Sequence, residues 1–491
     1  MQPLTPARAN VWRRRSPSCS LRRASPPARS RPRLPPVSGN GWRRRCRAGA
    51  DVATLPDSVA GLRAALREGT VSLPAALDAQ HRRFRDGAAR YGCATDVLAH
   101  DASRLSDPTL PLAGVGVAYK DIVAVAGRQP RCGTPWAQDT GVAEATAVQR
   151  LRMAGAHGLG MLAMAEFACG ATGENPHLPR PINPVDPAAA VGGSSSGSAV
   201  AVAAGLCYGA LGTDTAGSVR IPAATCGVLG LKPGPEAIDA AGVFPLSPSL
   251  DTVGVLAHSA EDARALFLVM AGQRETSASP TPAGAAVRVA LCLERPNPVR
   301  PVNDDMRAAL QQAAGRLGRV ETVALPDLPE WVRCADLLLN VEAARVHADR
   351  LRDDTRPLAP GTRAVAVPGS ILPGAWYRAA LEARAGHRQR LLDTLFAAHD
   401  VLVTPVLPDG VPDWSEVHTA SPGFQARALL ALFSWTAFVN YLGLPAVSVP
   451  VGVDARGRPL SAQLIGAPAS ELALLALAAR VAWPRTGTPT P

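Results

Sequence analysis

The sequence predicts an α/β fold, in which helices and strands alternate along one large domain. Two early segments, 58–69 and 72–91, carry apolar residues at helical spacing and predict amphipathic helices. The short apolar run GVGVAY at 114–119 then predicts a strand that ends at Lys120. The alternation continues to the C-terminus, with a helix at 145–156, a buried strand at 157–167, a helix opened by a capping box of Ser259 and Asp262, and strands at 287–294, 400–408 and 446–453.

Composition divides the chain into a tail and a body. Residues 1–50 contain 13 arginines and no acidic residue, so removing them from the formal charge of +11 leaves −2 for the rest. We expect residues 1–57 to be a disordered Arg/Pro-rich tail, and residues 58–491 to form one domain. Within that domain, residues 295–400 have the weakest strand pattern and are the expected substrate-covering excursion.

These patterns argue against several classes of function. A nearly neutral body offers no extended surface to a polyanion, so we expect no nucleic-acid partner. No apolar run reaches the ~18 residues of a membrane span, and the nine cysteines contain no C-x-x-C pair that would indicate structural zinc. We therefore expect a cytoplasmic protein that needs no metal and no cofactor. Import into an organelle through the tail, or a start codon assigned too far upstream, stays open.

A glycine- and serine-rich turn, GGSSSGS, occupies residues 192–198. Its serines could simply cap a helix that begins near Ala199. A phosphate-binding loop would end in Gly-Lys-Ser/Thr, whereas Ala199 and Val200 follow here. The segment GSSSG also fits the nucleophile elbow of α/β-hydrolases with Ser195 at its centre, but the three prolines before it disfavour the central strand that an elbow requires.

A second turn, within LGTDTAGSVRIPA at 211–223, has the groups that acyl transfer requires. Ser218 supplies a hydroxyl nucleophile, and the backbone N–H groups of Thr215, Ala216 and Gly217 could converge on an oxyanion. The alternative interpretation is an ordinary turn.

A hydroxyl nucleophile needs a base, and lysine is the best candidate. The chain has only two lysines, Lys120 and Lys232, among 51 basic residues. Arginine cannot release its proton near neutral pH, whereas a desolvated lysine can. Lys120 ends an apolar strand where burial would lower its pKa, and we interpret Lys232, in GLKPG, as structural.

Taken together, these segments resemble the amidase signature family. The likeness consists of YKD at 119–121, GGSSSGS, and GTDTAGSVRIPA in that order, with Ser194 and Ser218 at the family's spacing, and it extends over roughly 58–482. The resemblance implies a large mixed central sheet flanked by helices. It also implies hydrolysis of a linear amide, other than a peptide bond, through an acyl-enzyme.

The resemblance also assigns roles to individual residues. Ser218 would be the nucleophile, Ser194 the bridging serine and Lys120 the base, with Gly192 and Gly193 facing a small-molecule amide substrate. It further implies a cis peptide bond between Gly193 and Ser194. Asp214 and Arg220 would hold the second turn in place.

Two departures from the family pattern occur near these residues. Ala216 and Ser196 each replace a common glycine. The methyl group of Ala216 would narrow the acyl pocket while leaving its N–H in place, and Ser196 is expected to have little effect.

The resemblance leaves the member of the family open. The alternative to a stand-alone amidase is the glutamine-hydrolysing, ammonia-delivering A subunit of an aminoacyl-tRNA amidotransferase. In that protein, an Asp lies seven residues before the Asn of an Asn-Leu-x-Gly-Leu-Pro segment. Here Phe433 precedes Asn440 at that distance, and an aromatic ring cannot pair with the substrate ammonium. The segment 371–384 is similar instead to bacterial ureide amidases such as 1-carboxybiuret hydrolase. Both the stand-alone amidase and the amidotransferase subunit are compatible with a homodimer or with a small partner subunit.

Overall fold

The described part of the protein is built on one mixed sheet of eleven strands, in the order β1-β3-β2-β4-β6-β5-β10-β11-β9-β7-β8. The computed structural model describes residues 55–99, 107–273, 286–296, 298–353 and 355–483. The predicted tail, apart from residues 55–57, lies outside the described residues. Helices pack around the sheet, so the predicted α/β class and the large mixed sheet are confirmed.

The strands of the described residues are β1 (Ala94–Val97), β2 (Gly116–Lys120), β3 (His157–Leu162), β4 (Gly209–Asp214), β5 (Leu229–Lys232), β6 (Thr252–Ala257), β7 (Val287–Leu291), β8 (Gly318–Thr322), β9 (Val401–Pro405), β10 (Ala446–Val453) and β11 (Pro459–Ile465). Strand β2 is parallel to both of its neighbours, β3 and β4, and β7 is parallel to β8 and β9. The other pairs are antiparallel.

The α-helices of the described residues are α1 (Val59–Arg67), α2 (Leu73–Tyr91), α3 (Thr146–Met153), α4 (Ser196–Ala203), α5 (Arg220–Cys226), α6 (Ala260–Met270), α7 (Asp304–Leu317), α8 (Leu328–Val346), α9 (Pro360–Ile371), α10 (Gly374–Leu391), α11 (Trp414–Val417), α12 (Ala426–Ala431), α13 (Ala437–Leu442) and α14 (Glu471–Val481). A short 3₁₀ helix covers Glu166–Ala168, and a π-helical turn covers Leu392–Phe396. No helix of the described residues combines the length and apolar character needed to cross a membrane.

Local capping explains why the first two helices begin where the sequence predicts. The side chain of Ser58 accepts a hydrogen bond from Gly61 N, and that of Ser72 accepts one from Ala75 N. Each bond satisfies a backbone donor that has no partner within its own helix. The capping box predicted for α6 is only half formed. Ser259 Oγ accepts from Asp262 N at 3.0 Å, but the Asp262 carboxylate accepts from Val59 N in α1.

Several predicted boundaries are wrong, and one of these errors lies at the serine-rich turn. The helix expected near Ala199 begins at Ser196, and no serine side chain caps it. The serine side chains bond instead to backbone carbonyls of other segments: Ser196 Oγ to Ala163 O, just after β3, and Ser198 Oγ to Leu211 O in β4. The predicted strand at 157–167 ends at Leu162. The second turn, 211–223, contains the end of β4 and the start of α5 as well as the turn itself.

The region 295–400 consists mainly of helices α7 to α10. It also contributes an edge strand, β8, that the sequence analysis missed because its residues are mostly exposed and lack the apolar pattern of a buried strand. A substrate-covering role for this region stays a prediction.

Candidate active site

Lys120 lies at the end of β2, a buried strand in the interior of the sheet. All five residues of β2 are buried, and Lys120 is 0% exposed. Its Nζ lies 2.7 Å from Ser194 Oγ and 2.8 Å from Thr213 Oγ1. Ser194 and Thr213 come from the two glycine- and serine-rich segments. These segments therefore meet at the amine of Lys120.

Burial lowers the pKa of Lys120 to about 7, because removing an ammonium from water penalises its charged form. The carboxylates of Asp214 and Asp251 oppose this effect and keep the pKa from falling further. A substantial fraction of the amine is therefore neutral near physiological pH and able to accept a proton.

Ser194 lies on a tight turn that is held from both sides. The peptide bond from Gly193 to Ser194 is cis, as the family resemblance implied. Ser194 is fully buried, and its carbonyl accepts a hydrogen bond from Ala165 N at 3.2 Å. The next residue, Ser195, donates its N–H to the carbonyl of Ser218 at 3.2 Å, so the backbones of the two serine-bearing turns are joined directly.

The glycines before Ser194 allow this close approach. A Cβ on Gly193 would lie 2.6 Å from Gly170 O, and Gly192 has a φ of +67°, a conformation that favours glycine. The neighbouring Ser195 is not a nucleophile elbow: its hydroxyl is buried against Thr213 O, and residues 181–195 contain only an isolated bridge where an elbow needs a strand.

Ser218 lies in the turn that connects β4 to α5. Its side chain is half-buried, whereas Ser194 and Lys120 are fully buried. A hydrogen bond between the hydroxyls of Ser218 and Ser194 stays a prediction. The structure brings Lys120 and Ser194 into contact and brings the backbone of Ser218 next to them.

A buried ion pair holds this turn in shape, as proposed for Asp214 and Arg220. Arg220 Nη2 lies 2.8 Å from Asp214 Oδ1, and both side chains are 0% exposed. The same carboxylate accepts from the backbone N–H groups of Gly217 and Val219. Burial alone would raise the pKa of Asp214, but the charge and hydrogen bonds of Arg220 outweigh it and hold that pKa well below its usual range.

The Asp214 contacts correct one expectation about the oxyanion donors. The N–H of Gly217 donates to Asp214 Oδ1 at 2.8 Å, because the buried carboxylate needs donors for its lone pairs. This N–H is therefore not free for an oxyanion. Thr215 and Ala216 are left as the predicted donors, and Ala216 is held by Thr436 Oγ1, which donates to its carbonyl at 2.5 Å.

Asp251 is a further residue of the site that the sequence analysis did not select. Its half-buried carboxylate accepts from Thr215 Oγ1 at 2.6 Å and from the N–H groups of Leu246 and Ser247. Loss of hydration raises its pKa to about 6, against the opposing effect of these hydrogen bonds. The residue fixes the side chain of Thr215, one of the two remaining predicted oxyanion donors.

Lys232, which the sequence analysis interpreted as structural, is buried as deeply as Lys120. It is also 0% exposed, and its Nζ donates to Pro233 O at 2.6 Å. Burial, assisted by the positive charge of Arg220, lowers its pKa to about 7. The two lysines therefore differ in their contacts rather than in burial: Lys120 contacts a serine hydroxyl, whereas Lys232 contacts a backbone carbonyl.

Within the described ranges, no group of three or more His, Cys, Asp or Glu side chains is arranged to hold a metal ion.

Comparison with known sequences assigns the chain to a family. The sequence model of the Amidase family matches residues 93–475, a span that includes every residue of the site. The chain belongs to the amidase signature family. The enzymes of this family act on carbon–nitrogen amide bonds.

Curated relatives of this chain are named for different activities. The chain is 33% identical to the A subunit of the glutamyl-tRNA(Gln) amidotransferase of Nitratidesulfovibrio vulgaris (strain DP4), over 78% of this chain and 85% of the relative. It is 34% identical to the AtzE subunit of the 1-carboxybiuret hydrolase of Pseudomonas sp. (strain ADP), over 74% of this chain and 82% of the relative.

Solved structures give the same result. One is described as a vestigial protein complex that reveals the evolutionary origins of an s-triazine catabolic enzyme. It superposes with a TM-score of 0.77 at 29% identity, covering 86% of this amidase and 97% of that chain. A crystal structure of an amidase superposes with a TM-score of 0.75 at 29% identity, with 86% and 98% coverage.

Proposed function

We propose that this amidase hydrolyses the carbon–nitrogen bond of a linear, non-peptide amide through Ser218, Ser194 and Lys120, with an acyl-enzyme intermediate. The observation that carries the proposal is the 2.7 Å contact between the fully buried amine of Lys120 and Ser194 Oγ. An amine in this position, with a pKa near 7, can act as a base where a histidine would otherwise be required.

The acylation step moves two protons in sequence. Neutral Lys120 accepts the proton of the Ser194 hydroxyl, and Ser194 accepts the proton of Ser218 as Ser218 Oγ attacks the amide carbonyl. The N–H groups of Thr215 and Ala216 stabilise the negative charge that develops on the carbonyl oxygen. Ser194 then donates a proton to the leaving nitrogen, the carbon–nitrogen bond breaks, and the acyl group remains on Ser218. Lys120 returns its proton to Ser194, so the amine is neutral again before deacylation.

Deacylation repeats the same steps with water as the nucleophile. Water donates its proton through Ser194 to Lys120 and attacks the ester carbonyl. Lys120 returns this proton through Ser194 to the Ser218 oxygen as the ester bond breaks, and the carboxylic acid leaves.

Release of amine or ammonia from a panel of linear amides tests the proposal. Ser218→Ala should lose about 10³-fold or more in kcat/KM, because no other group supplies the nucleophile. Ser196→Gly is the matched control in the neighbouring turn. Its hydroxyl makes only a 3.3 Å contact with Ala163 O, and glycine is common there in the family, so near-normal activity is expected.

The role of Lys120 has its own test. Lys120→Arg keeps a positive charge but removes the base, because a guanidinium stays protonated at neutral pH. We expect a loss of at least about 10²-fold in kcat/KM. Full activity of Lys120→Arg would contradict the role of Lys120 as the base. If the wild-type enzyme cleaves none of the amides in the panel, the proposed substrate class is wrong.

The second candidate function is the glutamine-hydrolysing A subunit of an amidotransferase assembly. The 33% identity to such a protein favours it. Phe433 argues against it: the ring is half-buried and packs with an apolar cluster that includes Ile221 and Leu432, an environment unsuited to an ammonium group. Glutaminase activity that appears only after co-expression with the organism's other amidotransferase subunits would support this candidate over the first.

A further inference from the structure

The second hydrogen-bond partner of Lys120 is the hydroxyl of Thr213. Strands β2 and β4 are parallel neighbours, and Tyr119 pairs with Leu211. Lys120 lies one residue beyond this pair on β2 and Thr213 two residues beyond it on β4, so the ends of the two strands bring them together. The distance from Nζ to Oγ1 is 2.8 Å, and Thr213 is 5% exposed. Water therefore has little access to this hydroxyl.

The contact with Thr213 affects how the neutral amine of Lys120 is oriented. A neutral primary amine has two N–H donors and one lone pair. The lone pair can take a proton from Ser194 only if the amine is turned so that its N–H groups point elsewhere. Thr213 Oγ1 lies where it can accept one of those N–H groups, and this fixes the rotation of the amine about its last bond.

We propose that Thr213 is a positioning residue, which accepts an N–H of Lys120 and thereby aims the lysine lone pair at Ser194. This inference rests on the proposed function of Lys120 as the base. If the Thr213 hydroxyl donated to that lone pair instead, Ser194 would have to accept from Lys120, and the proton could not move in the productive direction.

The backbone around Thr213 keeps its side chain in this place. Thr213 pairs with Val253 of β6, and its N–H and carbonyl contact Ser195 Oγ at 3.4 and 3.3 Å. Ser195 directly follows the bridging serine. The strand that carries Thr213 and the turn that carries Ser194 are therefore tied together independently of the lysine.

The same contact also stabilises the protonated lysine, because an ammonium donates to Thr213 and to Ser194 at once. Removing the acceptor should thus lower the pKa of Lys120 as well as disorder its amine. The charged and titratable groups that act on this amine are Asp214, Asp251, Cys132 and Cys169. None of these groups is altered by a change at position 213.

The experiment compares Thr213→Val, which keeps the shape and removes the hydroxyl, with Thr213→Ser, which restores it. The full chain is labelled with ¹³C at the lysine Cε. Because only two lysines are present, two signals are expected, and a Lys232→Met sample assigns them. The pKa of each lysine is read from its chemical shift against pH, without any need for turnover.

In Thr213→Val, the Lys120 pKa should fall by about one pH unit while the Lys232 signal titrates as before. The acid limb of kcat/KM should move down by the same amount, and the plateau should drop about 10²-fold. Thr213→Ser should return all three readouts toward wild type.

An unmoved Lys120 pKa in Thr213→Val would overturn the proposal, as would a serine variant no better than the valine variant. The Lys232 signal shows that the variant is folded, since that lysine keeps its lowered pKa only in the folded protein. If the proposed function fails instead, no turnover will depend on Ser218, yet the titration will still report whether Thr213 binds the amine.

Discussion

Replacing Lys232 by methionine tests the energetic cost of the second buried amine. The lysine ends β5, is fully buried, and has a pKa lowered from 10.5 to about 7, chiefly by desolvation and then by Arg220. Asp214 and Glu471 oppose this shift. Methionine has an unbranched side chain of similar length and cannot be protonated.

The free-energy cost of burying Lys232 follows from its pKa values in the unfolded and the folded state. A fall from 10.5 to about 7 on folding corresponds to roughly 5 kcal/mol, because the chain must release a proton to fold. The unfolded state binds more protons than the folded state between these pH values. Stability therefore rises with pH in this window, by up to about 1.4 kcal/mol per pH unit, and the full cost applies below pH 7. Methionine removes this cost but also removes the hydrogen bond to Pro233 O, worth about 1 kcal/mol.

The assay is urea unfolding of both proteins at pH 7, 8 and 9. Lys120 and the buried cysteines titrate alike in the two proteins and cancel in the difference. We expect Lys232→Met to be more stable at pH 7, and its advantage to shrink by about 1 kcal/mol for each pH unit. If the unfolding free energies of the two proteins change in parallel from pH 7 to 9, Lys232 does not have a lowered pKa in the folded protein and the reasoning is refuted.

Three further substitutions address the catalytic turn. Asp214→Asn leaves Arg220 buried without a carboxylate, so we expect a loss of about 3–5 kcal/mol in unfolding free energy and a collapse of kcat, measured by denaturation and steady-state kinetics. Gly217→Ala should be inactive although folded, because φ is +128° and a Cβ would collide with Thr436; a kcat near wild type would contradict this. Ala216→Gly should keep its activity on small amides and gain on bulky acyl groups, since the N–H is unchanged; unchanged relative kcat/KM across acyl sizes would show that the methyl group does not limit the pocket.

The sequence was most informative where residue type and chemistry coincide. The rarity of lysine singled out Lys120, because a chain that otherwise uses arginine keeps lysine where a proton must be lost or a cation buried. The same reasoning applied to Lys232, whose burial the sequence analysis underestimated: a Lys-Pro pair before a turn gives no sign that the amine points inward. One interpretation of the serines of 192–198 was that they cap a helix, but Ser195, Ser196 and Ser198 bond instead to the backbone of β4 and of the residue that follows β3.

Contacts between distant segments could not be predicted from local pattern. The hydrogen bond that Lys120 donates to Thr213 joins residues 93 positions apart, and the Asp251 carboxylate reaches Thr215 from a different loop. The commitment of the Gly217 N–H to Asp214 depends on the position of one buried carboxylate. Such contacts follow from the order of strands in the sheet, which brings β2 and β4 together although many residues separate them.

Trapping the acyl-enzyme tests the central claim most directly. The enzyme is mixed with a reactive amide or ester, quenched in acid during the first turnover, digested and examined by mass spectrometry. The account predicts an acyl adduct on the peptide that contains Ser218, absent from Ser218→Ala and slow to form in Lys120→Arg. An adduct on the 192–198 peptide, or turnover without any covalent adduct, would contradict it.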